Sequence, residues 1–566
     1  MGQDDVFSVH ITDLNHSGEG VGRKDGRVVF VPYATPGDIA VVRIVEERRV
    51  FARAELLSLE RESPDRVLPP CPVYLQCGGC QLQHIAYDAQ LAYKKRRVEQ
   101  ALRRIGKFDD IPVRDCLPAP LVFHYRNKAR FSYSARRADS SPDRGAAQDG
   151  GAGAARRVGD RSGFVSGFYG RSTHDVVDFN ECLIQNRTNN EVFQALNALL
   201  ARRGIPVWNS AVGEPGEAGA GRMCAAAGPQ VEAGRPQARP PRRGAPRTGG
   251  LRTVSRCAGG YAAACGGALK HLVVRCNRDG GQALAVLVPC GGPLYEVEQV
   301  AYELMLAVPK LVGVVEEVEP ASGGGEEDAG GGRGGRTSDG GLSQGSGRRQ
   351  SRRAVPRLVR GVGFLRERIL GLEFTVSADS FLQVNAEGME VLYHEVLRAA
   401  DLSGGEVALD AYCGVGSISL ALARECRKVF GIEEVRSAVA DARRNAALNS
   451  LTDCVFIAGR VEDVLATEFA GAAGSPGRVA SLLPRHVDVV VLDPPRAGCD
   501  VRALRALALL EPSRIVYVSC DPETLARDLR ILAGVGYKLA NVQPVDMFPQ
   551  TSHVETVVLM SSARKE

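Results

Sequence analysis

The stretch EVALDAYCGVGSISL, residues 406–420, decides the fold. Its first half is a short apolar run ending in Asp410. The second half turns through Gly414 and Gly416 into an apolar segment with helical spacing. A buried strand that passes through glycines into a helix is the first unit of a ligand-binding α/β domain, because glycine lets a ligand approach the backbone. A dinucleotide fingerprint would place a third glycine near Ser419, and its absence argues against a nicotinamide cofactor. Working outward, short apolar runs recur at KVFGIEE (428–434), CVFIAGR (454–460), VDVVVLDPP (487–495) and RIVYVSC (514–520). Helical segments such as ISLALARE and VADARRNAALN separate most of them. Buried strands alternating with helices predict a doubly wound α/β domain over 366–566.

The rest of the 566-residue chain is too long for one further domain. Residues 6–59 alternate apolar and polar positions and are cut by turn signals at Lys24-Asp25-Gly26 and Pro36-Gly37-Asp38. That pattern predicts a small β-barrel of the OB type over 1–62, a fold that commonly holds oligonucleotides. A central α+β domain over 63–365 follows, with strands expected at 164–170, 270–276 and 283–288. A helix is expected from Ile85 to Ile105; its KKRR run at 94–97 reads as a solvated face or a phosphate contact. Three stretches, 136–162, 209–260 and 319–357, are rich in Gly, Ala and Arg without apolar periodicity, and read as disordered insertions in surface loops.

Composition sets outer limits. Hydrophobic residues at 44% and charged residues at 24% are globular values. No run of eighteen apolar residues offers a membrane span, and the opening MGQDDVFSVH lacks the basic start and apolar core of a signal peptide. A cytoplasmic protein is the expectation. Fifteen cysteines, an odd number, argue against a disulfide framework and for metal or catalytic use of some thiols. A net charge of +5 fits nucleic-acid binding only through its distribution.

The candidate chemistry lies at the strand ends of the last domain. Glu433 ends the second strand and suits ribose hydroxyls. Asp493-Pro-Pro-Arg496 makes a stiff loop that can hold a side chain toward the cleft. With the glycine loop, these features resemble an S-adenosylmethionine-dependent methyltransferase pocket. Cys520 closes the next strand and should open onto the same cleft. Near the C-terminus, DMFPQTSHVETVVLM places His553 and Glu555 before a final strand, in a loop that could bring either toward Cys520. A thiol, a carboxylate and a methyl donor fit one reaction. Addition of a thiolate at carbon 6 of uracil makes carbon 5 nucleophilic; after methylation a base removes the carbon-5 proton and the thiol leaves. The base must be flipped out for that attack.

The motifs FLQVN, DAYCGVGSISL, GIEEV, VVLDPPRAG, VYVSCDP and DMFPQTSHVE stand in the order found in the RNA (uracil-5-)-methyltransferase family. The chain resembles that family over nearly its whole length outside the insertions, and specifically the 23S ribosomal RNA branch that carries an iron-sulfur cluster. The resemblance implies Cys520 as nucleophile, Glu555 as base and His553 in support. It implies cofactor contacts from Gln383, Tyr412, Gly414, Gly416, Ser417, Glu433 and Asp493; Ser417 stands where one branch often has Asn. The first barrel resembles a TRAM domain, an RNA-binding module. The family's Cys-x5-Cys-x2-Cys pattern is matched by Cys71, Cys77 and Cys80. Cys182, in DFNECLIQN, is the implied fourth ligand of a 4Fe-4S cluster and Cys116 its competitor; spacing alone leaves zinc open. Arg126, Lys128 and Arg130 resemble a segment facing RNA and read as one face of a strand, with charges guarding an exposed edge as the equal alternative. The implied partner is RNA, most of all 23S ribosomal RNA, bound by a monomer without an obligate protein partner.

Three other readings stand beside this one: a transfer RNA uridine as substrate, methylation of a base amino group at the DPPR loop without a thiol, and a non-catalytic iron-sulfur RNA-binding protein. Cytosine carbon-5 methylation would more naturally show Pro-Cys where Pro495-Arg496 stands.

Overall fold

In the computed structural model the described residues are 5–109, 112–136, 163–209, 267–318, 355–470, 483–484 and 486–563. The barrel is closed in the order β1-β2-β3-β5-β4, from β1 (Val6–Leu14), β2 (Gly20–Lys24), β3 (Arg27–Val31), β4 (Ile39–Glu47) and β5 (Phe51–Arg61). The alternation read in the sequence points Val9, Ile11, Val29, Val31, Val42 and Ile44 inward. Closure removes the edges that an open sheet would expose.

Helix α1 (Tyr87–Ala101) continues into a π-helical turn, Leu102–Gly106. Its basic run is the expected solvated face only in part: Arg96 is exposed and Lys95 half-buried, whereas Lys94 and Arg97 turn inward. Lys94, fully buried, donates to Asp546 at 2.5 Å and to the Phe548 carbonyl at 3.1 Å. Lys95 pairs with Asp115 at 2.9 Å, Arg96 with Asp13 of the barrel at 3.6 Å, and Arg97 with Glu523 at 3.0 Å. Four consecutive cations thus meet four acids from separate parts of the chain. The reason is helical geometry: consecutive side chains point about 100° apart, so a helix packed on several sides offers one cation to each.

The central domain is a seven-stranded sheet in the order β12-β11-β10-β9-β6-β7-β8. Its elements are β6 (Lys128–Ala135), β7 (Phe164–Tyr169), β8 (Val176–Asp178), α2 (Arg187–Arg203), β9 (Ala268–Cys276), β10 (Ala283–Cys290), α3 (Val297–Ala307), β11 (Leu311–Val318) and β12 (Val355–Gly361). Helices α2 and α3 cover one face over a core that includes Phe131, Phe193, Leu272 and Leu304. The expected insertions fall mostly outside the described residues. The first joins adjacent antiparallel strands, and its neck is closed by Arg136 N donating to the Gly163 carbonyl at 3.0 Å. The third stops short of its expected end: 355–357 belong to β12, paired with β11. β6 runs between β9 and β7; Lys128 and Arg130 pair with β9, while the ladder to β7 covers Ser132–Ala135.

A hairpin, β13 (Phe364–Ile369) and β14 (Leu372–Ser377), leads to α4 (Ala386–Ala400) and the second seven-stranded sheet. That sheet comprises β15 (Val407–Ala411), β16 (Lys428–Glu433), β17 (Cys454–Ala458), β18 (Val489–Leu492), β19 (Arg514–Ser519), β20 (Tyr537–Val545) and β21 (Glu555–Ser562). The strands lie in the order β17-β16-β15-β18-β19-β21-β20, the first five parallel and β21 antiparallel. Helices α5 (Ser417–Leu422), α6 (Arg436–Leu448), α7 (Val461–Ala470), α8 (Val501–Leu509) and α9 (Pro522–Gly534) connect them. The order reverses at β15, and ligands of such sheets bind beyond the strand ends beside that reversal. Among the described residues no helix is long and apolar enough to cross a membrane.

Candidate active site

A cleft of about 1050 Å³ opens over the C-terminal ends of β15, β16, β18 and β19. That volume suits a cofactor with a nucleotide beside it. Its walls include Gln383, Tyr412, Gly414, Ser417, Glu433, Asp493, Cys520, His553 and Glu555. Gly416 lies under the loop rather than on the wall: its φ of +84° makes the turn into α5, and a Cβ there would press on Leu420 and Ala442. The carboxylate of Glu433 accepts from Gly414 N at 3.1 Å and Val435 N at 2.8 Å, which fixes the glycine loop against β16. Ser417 Oγ lies 2.7 Å from the hydroxyl of Tyr393, a buried residue of α4. Gln383 reaches the cleft because its segment is tied to the central domain: Asn127 N donates to the Val384 carbonyl at 2.7 Å, and Asn127 Nδ2 to the Gln383 carbonyl at 3.3 Å.

The thiol and the carboxyl meet through strand register. β19 and β21 run antiparallel with Ser519 opposite Thr556, so the next step along the ladder sets Cys520 against Glu555. Because β21 is antiparallel, its start lies where β19 ends. Glu555 is buried, and burial with Asp493 nearby pushes its carboxyl up to about 8. Burial also raises Asp493 to about 7. The Cys520 thiol is pushed up to about 12, by burial first and then by Glu555, while Arg496 pulls the other way. His553 is lowered to about 4 by burial and by Arg496. Its Nε2 lies 3.5 Å from an Arg496 Nη, and its ring meets Phe548 edge-on.

Sequence reasoning left Arg496, Phe381 and Tyr393 without roles. Arg496 was legible as the end of DPPR. Phe381 is 67% exposed at the rim of the cleft, and an exposed aromatic within FLQVN was a usable signal. Tyr393 sits among apolar residues of α4, where nothing in the pattern marks it.

Beside the cleft a cavity of about 250 Å³ is lined by Cys71, Cys77, Cys80 and Cys182. Burial raises all four thiols, Cys80 to about 12, and Cys77 and Cys71 add to the rise at Cys80. Cys116, the competing fourth ligand, is elsewhere: it packs in the core under α1 beside Lys94 and Asp546. Among the described residues no three or more His, Cys, Asp or Glu side chains are grouped so as to hold a metal ion.

Lys128 and Arg130 share a face of β6, but Arg126 precedes the strand and bridges to Gln185 and Asn385. Arg126 lines both the thiol cavity and the cleft. Arg130 lines the thiol cavity and a polar groove of about 490 Å³ that also includes Arg53 of the barrel and Arg171. Lys128 lies opposite Arg275; burial and that charge lower its amine to about 8.

The model of the tRNA (Uracil-5-)-methyltransferase family matches residues 366–563, and that of the TRAM domain residues 5–57. An uncharacterized RNA methyltransferase of Halalkalibacterium halodurans is 33% identical over 561 residues, covering 99% of this chain and 98% of the relative. The chain belongs to the uracil-5 RNA methyltransferase family. A second relative, an uncharacterized RNA methyltransferase of Bacillus cereus, is 32% identical over 564 residues, covering 100% and 98%. Among solved structures, the Pyrococcus abyssi tRNA (uracil-54, C5)-methyltransferase in complex with S-adenosyl-L-homocysteine superposes with a TM-score of 0.62 at 24% identity. The match covers 98% of this chain and 100% of that one, so the three-part architecture is shared. Membership in this family makes the TRAM barrel and the methyltransferase sheet parts of one RNA-modifying enzyme.

Proposed function

We propose that this family member, acting as a monomer, methylates carbon 5 of a uridine in 23S ribosomal RNA through a covalent Cys520 adduct. The observation that carries the reading is the register that sets Cys520 against Glu555 at one end of a cleft whose other end is the glycine loop. Bound S-adenosylmethionine supplies the methyl group. Glu433 offers its free lone pairs to the ribose hydroxyls, and Tyr412, Gly414, Ser417, Gln383 and Asp493 form the walls around the cofactor, with Gly416 shaping the loop. Cys520, once ionised, adds to carbon 6 of the flipped base; the electron pair moves to the ring carbonyl, and carbon 5 takes the methyl group. Glu555, acting in its ionised form with a basicity raised by burial, removes the carbon-5 proton, and the returning pair expels the thiolate. His553 supports the loop that delivers Glu555, and Phe381 offers a ring on which the flipped base can stack.

The same reading makes Cys71, Cys77, Cys80 and Cys182 the ligands of a 4Fe-4S cluster, supported by the Cys-x5-Cys-x2-Cys pattern and by the one cavity that all four thiols line. Such a group would stabilise thiolates that burial disfavours. Methyl transfer needs no electron from it. The groove with Arg53, Arg130 and Arg171, and the path past Arg126 to the cleft, suit the phosphates of the RNA. A transfer RNA substrate is the second reading, favoured by the description of the matching family model.

Incubating the enzyme with S-adenosylmethionine and ribosomal or transfer RNA containing 5-fluorouridine tests the proposal, because fluorine cannot leave as a proton does. A denaturation-resistant adduct is expected with ribosomal RNA and not with Cys520→Ala. Adduct on transfer RNA alone would replace the substrate, and methylation by Cys520→Ala would refute the thiol route.

A further inference from the structure

Helix α9 begins beside the thiol and holds the loop that follows Asp493. Its N-cap, Asp521, accepts from Glu523 N at 3.1 Å and Thr524 N at 2.9 Å, which fixes the first turn next to Cys520. Two turns on stands Asp528, a carboxylate with no exposed surface on the apolar stripe of Leu525, Leu529 and Leu532. Its Oδ2 accepts from the Tyr517 hydroxyl at 2.7 Å and from Cys499 N at 2.8 Å. Its Oδ1 accepts from Arg527 Nε at 2.8 Å. Arg527 in turn donates to the Ala497 carbonyl at 2.9 Å, and the Thr524 hydroxyl to the Arg496 carbonyl at 3.1 Å. The turn wraps so closely on this carboxylate that a Cβ at Gly498, where φ is +75°, would stand 2.5 Å from Asp528 Oδ2. Every backbone anchor of residues 496–499 named here is a side chain of α9.

We infer that Asp528 is a positioning residue for the methyl-transfer reaction: it locks the Arg496–Cys499 turn to the helix that starts at the nucleophile, and so holds the Arg496 guanidinium at the thiol end of the cleft. The inference rests on the covalent reading above. Burying a carboxylate is costly unless it is paired and hydrogen-bonded, and here the partners are Arg527, one strand tyrosine and the amide of the turn itself. Arg496 is the cation that acts on Cys520 and Glu555, against Glu555, Asp493 and Asp521 around the thiol; its guanidinium lies 3.5 Å from His553 Nε2, which Arg97, Lys94 and Arg126 also face. A turn free to drift would take that cation away from the thiol, whereas Glu433 keeps its bonds from Gly414 N and Val435 N; the turn meets the cofactor side only where Cys499 touches Tyr412.

The experiment follows adduct formation with 5-fluorouridine RNA against pH in the full-length enzyme, for wild type, Asp528→Leu, Asp528→Asn and Arg496→Ala, with S-adenosylmethionine affinity measured by calorimetry. Displacement of a group by about 1 Å can cost about a hundredfold in rate, and a loss of that order is expected for Asp528→Leu. Its lower pH limb should move up to that of Arg496→Ala, with cofactor affinity within about threefold of wild type. Asp528→Asn, whose carbonyl can still accept from Cys499 N, should recover most of the rate. Gly498→Ala attacks the same contact from the loop side and decides the matter if Asp528→Leu does not fold; it should shift the limb in the same direction. An unmoved pH limb in the folded variants, whatever their melting temperature, or a parallel loss of cofactor affinity, would overturn the clamp. Absence of any wild-type adduct would instead sink the covalent reading.

Discussion

The Cys520 thiol should be almost inert toward alkylation in the free enzyme. An ordinary thiol has a pKa near 9.0, whereas burial and Glu555 push this one to about 12. At pH 8 the ionised fraction therefore falls from about a tenth to about one part in ten thousand, a thousandfold loss of reactive thiolate. Iodoacetamide labelling of the native protein, read by mass spectrometry on the peptide containing Cys520, measures it directly; the urea-unfolded chain supplies the reference rate. The native rate should be about a thousandfold lower at pH 8 and should climb about tenfold per pH unit with no plateau up to pH 10. Steric shielding would also slow the reaction, but it leaves the plateau near pH 9. Glu555→Gln should speed labelling and Arg496→Ala slow it, since these groups shift the thiol in opposite directions. A plateau below pH 10, or labelling within tenfold of the unfolded chain, would refute the electrostatic account. If the account holds, reactivity has to arise when RNA and cofactor are bound.

Three other outcomes follow from the same geometry. Folded Glu555 keeps its proton up to about pH 8, while the unfolded chain releases it near 4.5, so this group's contribution is complete below the lower value and is lost as pH rises through the higher one. Glu555→Gln should therefore leave the melting temperature unchanged at about pH 4 and raise it above wild type at about pH 9; equal shifts at both would contradict the assignment. Lys94→Met leaves the Asp546 carboxylate buried without its cation and should cost about 3–5 kcal/mol, whereas Lys94→Met with Asp546→Leu should recover most of that in thermal melts; a double variant no better than the single would count against the buried pair. After anaerobic reconstitution, Cys182→Ser should lose bound iron while Cys116→Ser keeps it, because only the first lines the four-thiol cavity; equal iron in both would remove Cys182 from the site.

Much of the cleft was legible because its parts are local. A glycine turn after a strand, an acid at the next strand end and a stiff DPPR loop each announce themselves within a few residues, and the sheet brings strand ends together whatever the intervening length. For the same reason Cys520 was readable as a cleft residue from its place after RIVYVS. Lys95 and Arg96 do face solvent, but Lys94 was misread because a run of charges carries no record of its partners, which lie as far away as Asp546. One signal was present: Lys94 falls with Gln90, Val98 and Ala101 on the buried stripe of α1. Asp528 left the same mark among the leucines of α9.

The amino-acid order alone determined which elements form, since periodicity, turns and glycine positions act over a few residues, and it supplied the thiol, the carboxyls and the cysteine cluster. Tertiary structure decided which of them meet. Cys520 faces Glu555 because β21 enters antiparallel beside β19, a pairing between residues joined by a helix and a strand. Cys182 rather than Cys116 lines the thiol cavity, because Cys116 is taken up by a different core. Gln383 reaches the cleft through hydrogen bonds from Asn127, more than 250 residues earlier in the chain. These are long-range contacts, set by packing and register and not by any local propensity.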